Sequence, residues 1–180
     1  MAHGFMVIAL AIGVTSCAEG CSDDSDVAVP HVDVYAIDDE TRVFAGREDD
    51  VPFPALADGT SLRTPREHEQ SLARFVTTVT LPDARRILIG ARDVDDSFVR
   101  TFLVVVPAAI GTEHVARAAA RPNGVVLTFD EQGRASMATL ARSGKRVAFA
   151  IDGRVVFAPI PTSADEKSVL VPRGNDVRDR

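Results

Sequence analysis

The dipeptide Asp152-Gly153, which stands between two runs of apolar residues, constrains the fold of this chain more than any other local pattern. Residues 146–151 precede it and residues 154–160 follow it. An Asp-Gly pair in this setting predicts a two-residue β-hairpin, because the primed turn needs positive φ at both central positions. Such a turn would give three facing pairs: Ile151 with Arg154, Phe149 with Val156, and Val147 with Ala158.

Both faces of this hairpin are apolar, so we expect both to be covered. One face carries Phe149, and the other carries Ala148 and Ala150. Because alanine side chains are small, we expect this second face to lie under a helix.

A strand and a helix are predicted directly before the hairpin. Residues 125–129 read as a strand, and Asp130 is placed to cap a helix that runs to Arg142. Met137, Leu140 and Ala141 form the apolar stripe of that helix. Gly144 then stops the helix, since glycine is the usual residue of the left-handed C-terminal position.

Further elements are predicted on both sides of this unit. Thr64, followed by Pro65, is placed to cap one helix, and Thr112 to cap an alanine-rich helix ending near Ala120. Together with the helix after Asp130 they make three. The expected fold class is therefore α+β: a mostly antiparallel sheet with about three helices packed on one face. The predicted remaining strands are Val32–Ile37, Arg86–Ala91, Phe98–Val106 and Ser168–Val171.

The N-terminal residues have the pattern of an export signal. Phe5–Val14 is an uncharged apolar run, too short to span a bilayer. The sequence Val14-Thr15-Ser16-Cys17 resembles a bacterial lipobox, which implies that Cys17 carries acyl chains such as palmitate. A cleaved signal peptide with a chance cysteine is the alternative, and the usual basic residues before the apolar run are absent.

The composition along the sequence predicts how the chain is divided into segments. We expect residues 1–16 to be a signal peptide of the lipoprotein type and the acidic residues 17–30 to be a flexible tether. Residues 31–172 have the length and apolar content of a single domain. Residues 173–180 are expected to be a disordered tail.

Several classes of function are disfavoured by composition and spacing. The net charge of -6 argues against nucleic acid as a partner, since nucleic-acid binding needs a basic footprint. His31, His68 and His114 lack metal-ligand spacing, and no glycine-rich phosphate loop or nucleophile elbow is present. Asp130 is better explained as a helix cap than as a catalytic acid. We therefore predict no catalytic, cofactor-binding or metal-binding residues.

The order of motifs around the hairpin resembles the head subdomain of the first periplasmic domain of the SecD/SecDF protein-export membrane proteins. The resemblance covers residues 98–160. Phe157 departs from the family, where a serine is usual, and the family's membrane-spanning motor parts are absent. The motifs that carry it are Phe129-Asp130, Gly144-Lys145-Arg146, Ile151-Asp152-Gly153 and Ala158-Pro159.

The resemblance and the lipobox together imply a non-catalytic, lipid-anchored protein of the bacterial cell envelope, facing the periplasm or the cell exterior. Its partner would be an unfolded or exported polypeptide or an envelope protein, with an accessory role in protein export. The alternative is a cryptic hydrolase or small-ligand carrier of the cell envelope. A deep pocket with convergent polar groups would favour the alternative, whereas a shallow apolar patch would favour polypeptide binding.

Overall fold

In the computed structural model the described residues are 25–47, 50–90, 97–163 and 167–172. Within them the chain forms eleven β-strands and two α-helices, α1 (Glu69–Val76) and α2 (Glu131–Ser143). The strands are β1 (Ser25–Val27), β2 (Val32–Ala36), β3 (Leu56–Ala57), β4 (Leu62–Pro65), β5 (Arg85–Gly90), β6 (Phe98–Val105), β7 (Val115–Arg121), β8 (Gly124–Phe129), β9 (Val147–Ile151), β10 (Arg154–Phe157) and β11 (Ser168–Pro172). Neither helix is long and apolar enough to cross a membrane.

The predicted fold class, an α+β sheet with about three helices on one face, is wrong. The described residues form two sheets and are mostly β. The alanine-rich segment after Thr112 is strand β7, because pairing with β8 along its whole length overrides the helical propensity of alanine. Thr112 caps no helix; its Oγ1 accepts a hydrogen bond from Val32 N at 2.8 Å.

The predicted helix start at Thr64 is also wrong. Thr64 lies in β4, and its hydroxyl donates to the Pro54 carbonyl at 2.5 Å instead of capping a helix. A short 3-10 turn, Arg66–His68, separates β4 from α1. Leu72 of α1 is fully buried.

Five strands of the larger sheet curl into a partly closed barrel. The strand order is β2-β9-β10-β5-β6-β4-β3, and neighbours are antiparallel except β10 and β5. The barrel closes because β2 also bridges β6: Ile37 faces Val104, and Asp38 N donates to Leu103 O at 2.8 Å. Closure of this kind removes open strand edges, which would otherwise pair with other chains.

The barrel interior explains the small residues of β9. Ala148 and Ala150 point inward, where they pack with the inward residues of the other four strands. The expectation that these alanines lie under a helix is therefore wrong. Five strands enclose little space, so small side chains on β9 leave room for the larger ones opposite. The other members of this cluster are Tyr35, Ile37, Leu88, Phe102, Val104 and Val155.

Two further apolar layers cover the outside of the barrel. On one side the sheet β1-β7-β8-β11 and α2 pack against the outer face of β2 and β9. Met137 and Leu140 of α2 belong to this layer. On the other side α1 and the loops before it bury Phe44, Leu62 and Leu72.

The β9–β10 hairpin turns at Asp152 and Gly153, and both residues have positive φ, 50° and 76°. Ile151 faces Arg154 as predicted. Beyond Val155 the register shifts, so that Phe157, and not Val156, faces Phe149. The predicted pair of Phe149 with Val156 is therefore wrong, and so is that of Val147 with Ala158, because Val147 N donates to Pro159 O. The cause is a β-bulge at Val156, which shifts all later residues by one position.

Candidate functional site

The candidate site is an apolar groove of about 260 Å³. It lies where α2, the β9–β10 hairpin, the segment after that hairpin and β11 come together. Nine of its ten lining residues are apolar, the tenth is Thr162, and none is charged. The nine are Met137, Val147, Phe149, Phe157, Pro159, Ile160, Pro161, Val169 and Leu170.

Two phenylalanine rings form one wall of the groove. Phe149 points outward from the barrel because it alternates with Ala148 and Ala150. Phe157 would share the inward face of Val155 in a regular strand, and the bulge turns it outward. The ring centroids of Phe149 and Phe157 lie 5.9 Å apart, with the planes tilted by 34°.

The opposite wall is strand β11, which is the last strand of its sheet. It pairs with β8 on one side, so its other edge is open among the described residues. Val169 and Leu170 are successive, so their side chains point to opposite faces of the strand. Both residues line the groove, so the groove runs beside β11.

The rim of the groove exposes large apolar side chains. Ile160 is 57% exposed and Leu170 is 38% exposed. Of the four large apolar residues that are exposed within the described ranges, these two belong to the groove. Their clustering matters because single exposed apolar residues are ordinary, whereas a group beside a groove is typical of an interaction site.

Asp130 was considered above as a catalytic acid, and its geometry assigns it to capping. Its Oδ1 accepts from Gly133 N at 2.7 Å, and its Oδ2 lies 3.1 Å from His114 Nδ1. The hydrogen bond that Asp130 accepts from Gly133 N, and then the one that it accepts from His114, lower the pKa of Asp130. His114 lies in the 3-10 turn before β7, and its contact with Asp130 links that turn to the start of α2.

A second set of polar side chains lies at the start of β2. His31 Nε2 lies 3.3 Å from Asp33 Oδ2, and His31 Nδ1 lies 3.2 Å from Thr112 Oγ1. A carboxylate, an imidazole and a hydroxyl in a row have the order of a nucleophilic triad. Thr112, however, donates its proton to Val32 O at 3.0 Å while it accepts from Val32 N. The hydroxyl therefore fastens β2, and none of these residues lines the groove.

The acidic turn after β2 is occupied by ion pairs. Asp38, Asp39 and Glu40 each contact a different basic residue: Arg85 at 2.6 Å, Arg146 at 2.5 Å and Lys145 at 3.2 Å. These bases come from the start of β5 and from the loop between α2 and β9. These ion pairs connect the turn to β5 and to the loop after α2, so the three acidic residues have a structural role.

The motif residues named above for the SecD/SecDF resemblance and the lipobox lie in different parts of the chain. Gly144 takes a left-handed conformation at the end of α2, Asp152 and Gly153 form the hairpin turn, and Ala158 packs against the barrel cluster. Pro159 alone among these residues lines the groove. Cys17 lies outside the described residues.

Most residues of the groove were not predicted as a site. The sequence placed Met137 in the apolar stripe of a helix. Nothing in the sequence marked Phe157, Ile160 or Leu170 as part of a binding site. One indication was present: Ile160 stands between two prolines, where no regular strand buries it. Within the described residues, no group of three or more His, Cys, Asp or Glu side chains is placed to hold a metal ion.

No protein-family profile, curated protein or solved structure matches this chain. A functional conclusion therefore has to come from the chemistry of the groove and its rim.

Proposed function

We propose that the protein is a non-catalytic polypeptide-binding module, held at the bacterial cell envelope by acyl chains on Cys17. An extended segment of the partner adds to the open edge of β11 as an extra strand and places an apolar side chain in the groove. Strand addition of this kind draws affinity from main-chain hydrogen bonds and specificity from side-chain pockets. The observation that carries the proposal is the position of the groove beside the last strand of a sheet, whose outer edge is open among the described residues.

The size and lining of the groove favour a polypeptide over a small ligand. Sites for small molecules usually enclose about 300–1,000 Å³ and contain a few convergent polar groups. This groove, at about 260 Å³, is smaller, and Thr162 is its single polar lining residue. It suits one or two apolar side chains of a longer partner.

The identity of the partner follows from the N-terminal pattern and from the resemblance of residues 98–160 to the SecD/SecDF head. Both support a location in the cell envelope, where exported polypeptides are unfolded when they emerge. An unfolded chain offers extended segments with apolar side chains, which a folded protein buries. We therefore propose an unfolded or exported polypeptide, and an accessory role in protein export.

Binding of unfolded polypeptide can be measured by fluorescence anisotropy with labelled peptides of alternating apolar and polar residues. The test variant is Ile160→Asp, which puts a charge on the groove rim. We expect at least about tenfold weaker binding, because an unpaired carboxylate there loses solvation when the partner covers it.

The matched control is Leu56→Asp on β3, at the far end of the larger sheet. Leu56 is 65% exposed, close to the 57% of Ile160, so the two substitutions perturb folding to a similar small extent. Leu56→Asp should bind peptide as the unaltered protein does. Equal losses in both variants, or no binding of any peptide by the unaltered protein, would contradict the proposal.

A further inference from the structure

The bulge in β10 shapes the groove. Without it, Phe157 would continue the inward alternation of Val155 and enter the barrel. The interior already contains Phe102 and Tyr35, and the neighbouring strand β9 contributes only the small side chains of Ala148 and Ala150 to it. With the bulge, Phe157 instead faces outward beside Phe149 and lines the groove. Bulges commonly re-aim a side chain next to a functional site.

The re-aimed ring gives the groove an aromatic character. Phe149, Phe157, Met137, Pro159 and Pro161 contribute to its lining. Phe149 and Met137 are each 1% exposed whereas Phe157 is partly exposed, so Phe157 is the ring that a partner can reach. Aromatic rings attract one another in tilted and edge-on arrangements beyond the effect of area alone. Thioether sulfur also makes favourable contacts with ring edges.

We propose that the groove selects an aromatic side chain, and that Phe157 is the residue that determines this preference. The occupant is one aromatic residue of an extended segment from another polypeptide, so the inference rests on the proposed function and narrows its ligand. Because no lining residue is charged, a charged side chain of the partner would be buried in the groove without an opposite charge, which is unfavourable.

The segment that follows β11 in this chain does not supply that anchor. Residues 173–180 continue directly from the groove wall, yet they contain no aromatic residue and five of the eight are charged: Arg173, Asp176, Arg178, Asp179 and Arg180. The charge of residues 173–180 thus argues against this segment as the occupant.

The test compares three labelled host peptides that are identical apart from Phe, Leu or Ala at the central position. With the unaltered full-length chain, we expect the Phe peptide to bind about threefold to tenfold more tightly than the Leu peptide, the range that a favourable aromatic pair provides. Phe157→Leu should remove this difference while keeping the affinity for the Leu peptide.

The control is Phe75→Leu, the same chemical change at a half-buried position in the separate cluster around α1. It should keep the preference for Phe, and thermal unfolding of both variants shows that each is folded. If Phe157→Leu does not fold, competition of the unlabelled Phe, Leu and Ala peptides on the unaltered protein still decides the preference.

Each other outcome overturns the inference in a distinguishable way. Equal binding of the Phe and Leu peptides would leave polypeptide binding intact and remove the aromatic preference. No binding of any peptide would remove the proposed function as well. Binding that appears only after removal of residues 1–16, or only on dissociation of a dimer seen by sedimentation, would assign the groove to the chain's own N-terminal run or to a second copy.

Discussion

At the scale of single residues, Asp38 is the one charged residue that is buried within the described ranges. It is 7% exposed, and it accepts hydrogen bonds from Glu40 N, from Thr41 N and its hydroxyl, and from Arg85 Nε. Its neighbour Asp39 pairs with Arg146 but is 43% exposed. The same turn therefore offers a buried and an exposed ion pair for direct comparison.

We expect Asp38→Asn to lower the free energy of unfolding by about 2 kcal/mol, because it removes a charge-assisted hydrogen bond and leaves the Arg85 guanidinium half-buried without its carboxylate. Asp39→Asn should cost less than about 1 kcal/mol, the usual value of an exposed pair. Urea denaturation measures both. Equal costs would show that burial does not distinguish the two pairs.

The same carboxylate predicts how stability depends on pH. Burial raises the pKa of Asp38, but the hydrogen bonds from Arg85 and Thr41 outweigh it, and the pKa lies well below its ordinary value of 3.8. Since the pKa is lower in the folded chain, the ionised group stabilises the fold above the unfolded value and loses this contribution as pH falls through the folded value.

Stability should therefore decline below about pH 4, and the decline should be shallower in Asp38→Asn than in the unaltered protein. Urea midpoints measured across an acidic pH series give both slopes. Parallel acid slopes would mean that Asp38 does not contribute to acid unfolding. Asp58 adds to the decline in both proteins, because hydrogen bonds from Thr60 and Ser61 outweigh burial and lower its pKa.

At the scale of elements, local signals were reliable where one residue decides the backbone. Asp152-Gly153 specified a turn, Asp130 a helix start and Gly144 a helix end, because each of these needs a particular side chain or φ value. The helix starts predicted at Thr112 and Thr64 are wrong because a threonine before a run of helix-forming residues is also common at the start or end of a strand. Strand pairing decided between the two: Thr112 precedes β7, which pairs with the next strand β8, and Thr64 lies in β4, which pairs with the distant strand β6.

Strands β5 and β10 of the barrel pair at one close approach, between Gly90 and Val155. A Cβ added at Gly90 would overlap the Val155 carbonyl oxygen. Gly90→Ala must therefore separate the two strands, and we expect a loss of at least about 3 kcal/mol in the free energy of unfolding.

The control for Gly90→Ala is Gly46→Ala. Gly46 has φ of 72° and nothing within 4 Å of an added Cβ, so its substitution costs only backbone strain, about 1 kcal/mol. Thermal or urea unfolding compares the two variants. Similar losses would show that strain alone, and not the contact with β10, explains the effect at Gly90.

At the scale of the whole molecule, the groove was beyond reach of sequence reasoning. Its walls come from α2, the hairpin and β11, which meet only after the barrel and the second sheet have packed together. The bulge that turns Phe157 toward the groove has no local signal, since both faces of β10 are apolar. The two-sheet architecture was missed for a related reason: once β7 is read as a helix, the second sheet loses a central strand.

The proposed function also includes attachment of the whole domain to a membrane. We expect this attachment to depend on one residue, Cys17. If Cys17 carries acyl chains, Cys17→Ala removes them, and each buried methylene of an acyl chain contributes about 0.8 kcal/mol to membrane binding. We expect Cys17→Ala to move the protein from the membrane fraction to the soluble fraction and to abolish labelling by a fatty-acid analogue. Cys21→Ala, the neighbouring cysteine with Glu19 in its lipobox position, should change neither. Unchanged fractionation of Cys17→Ala would reject the anchor while leaving peptide binding at the groove intact.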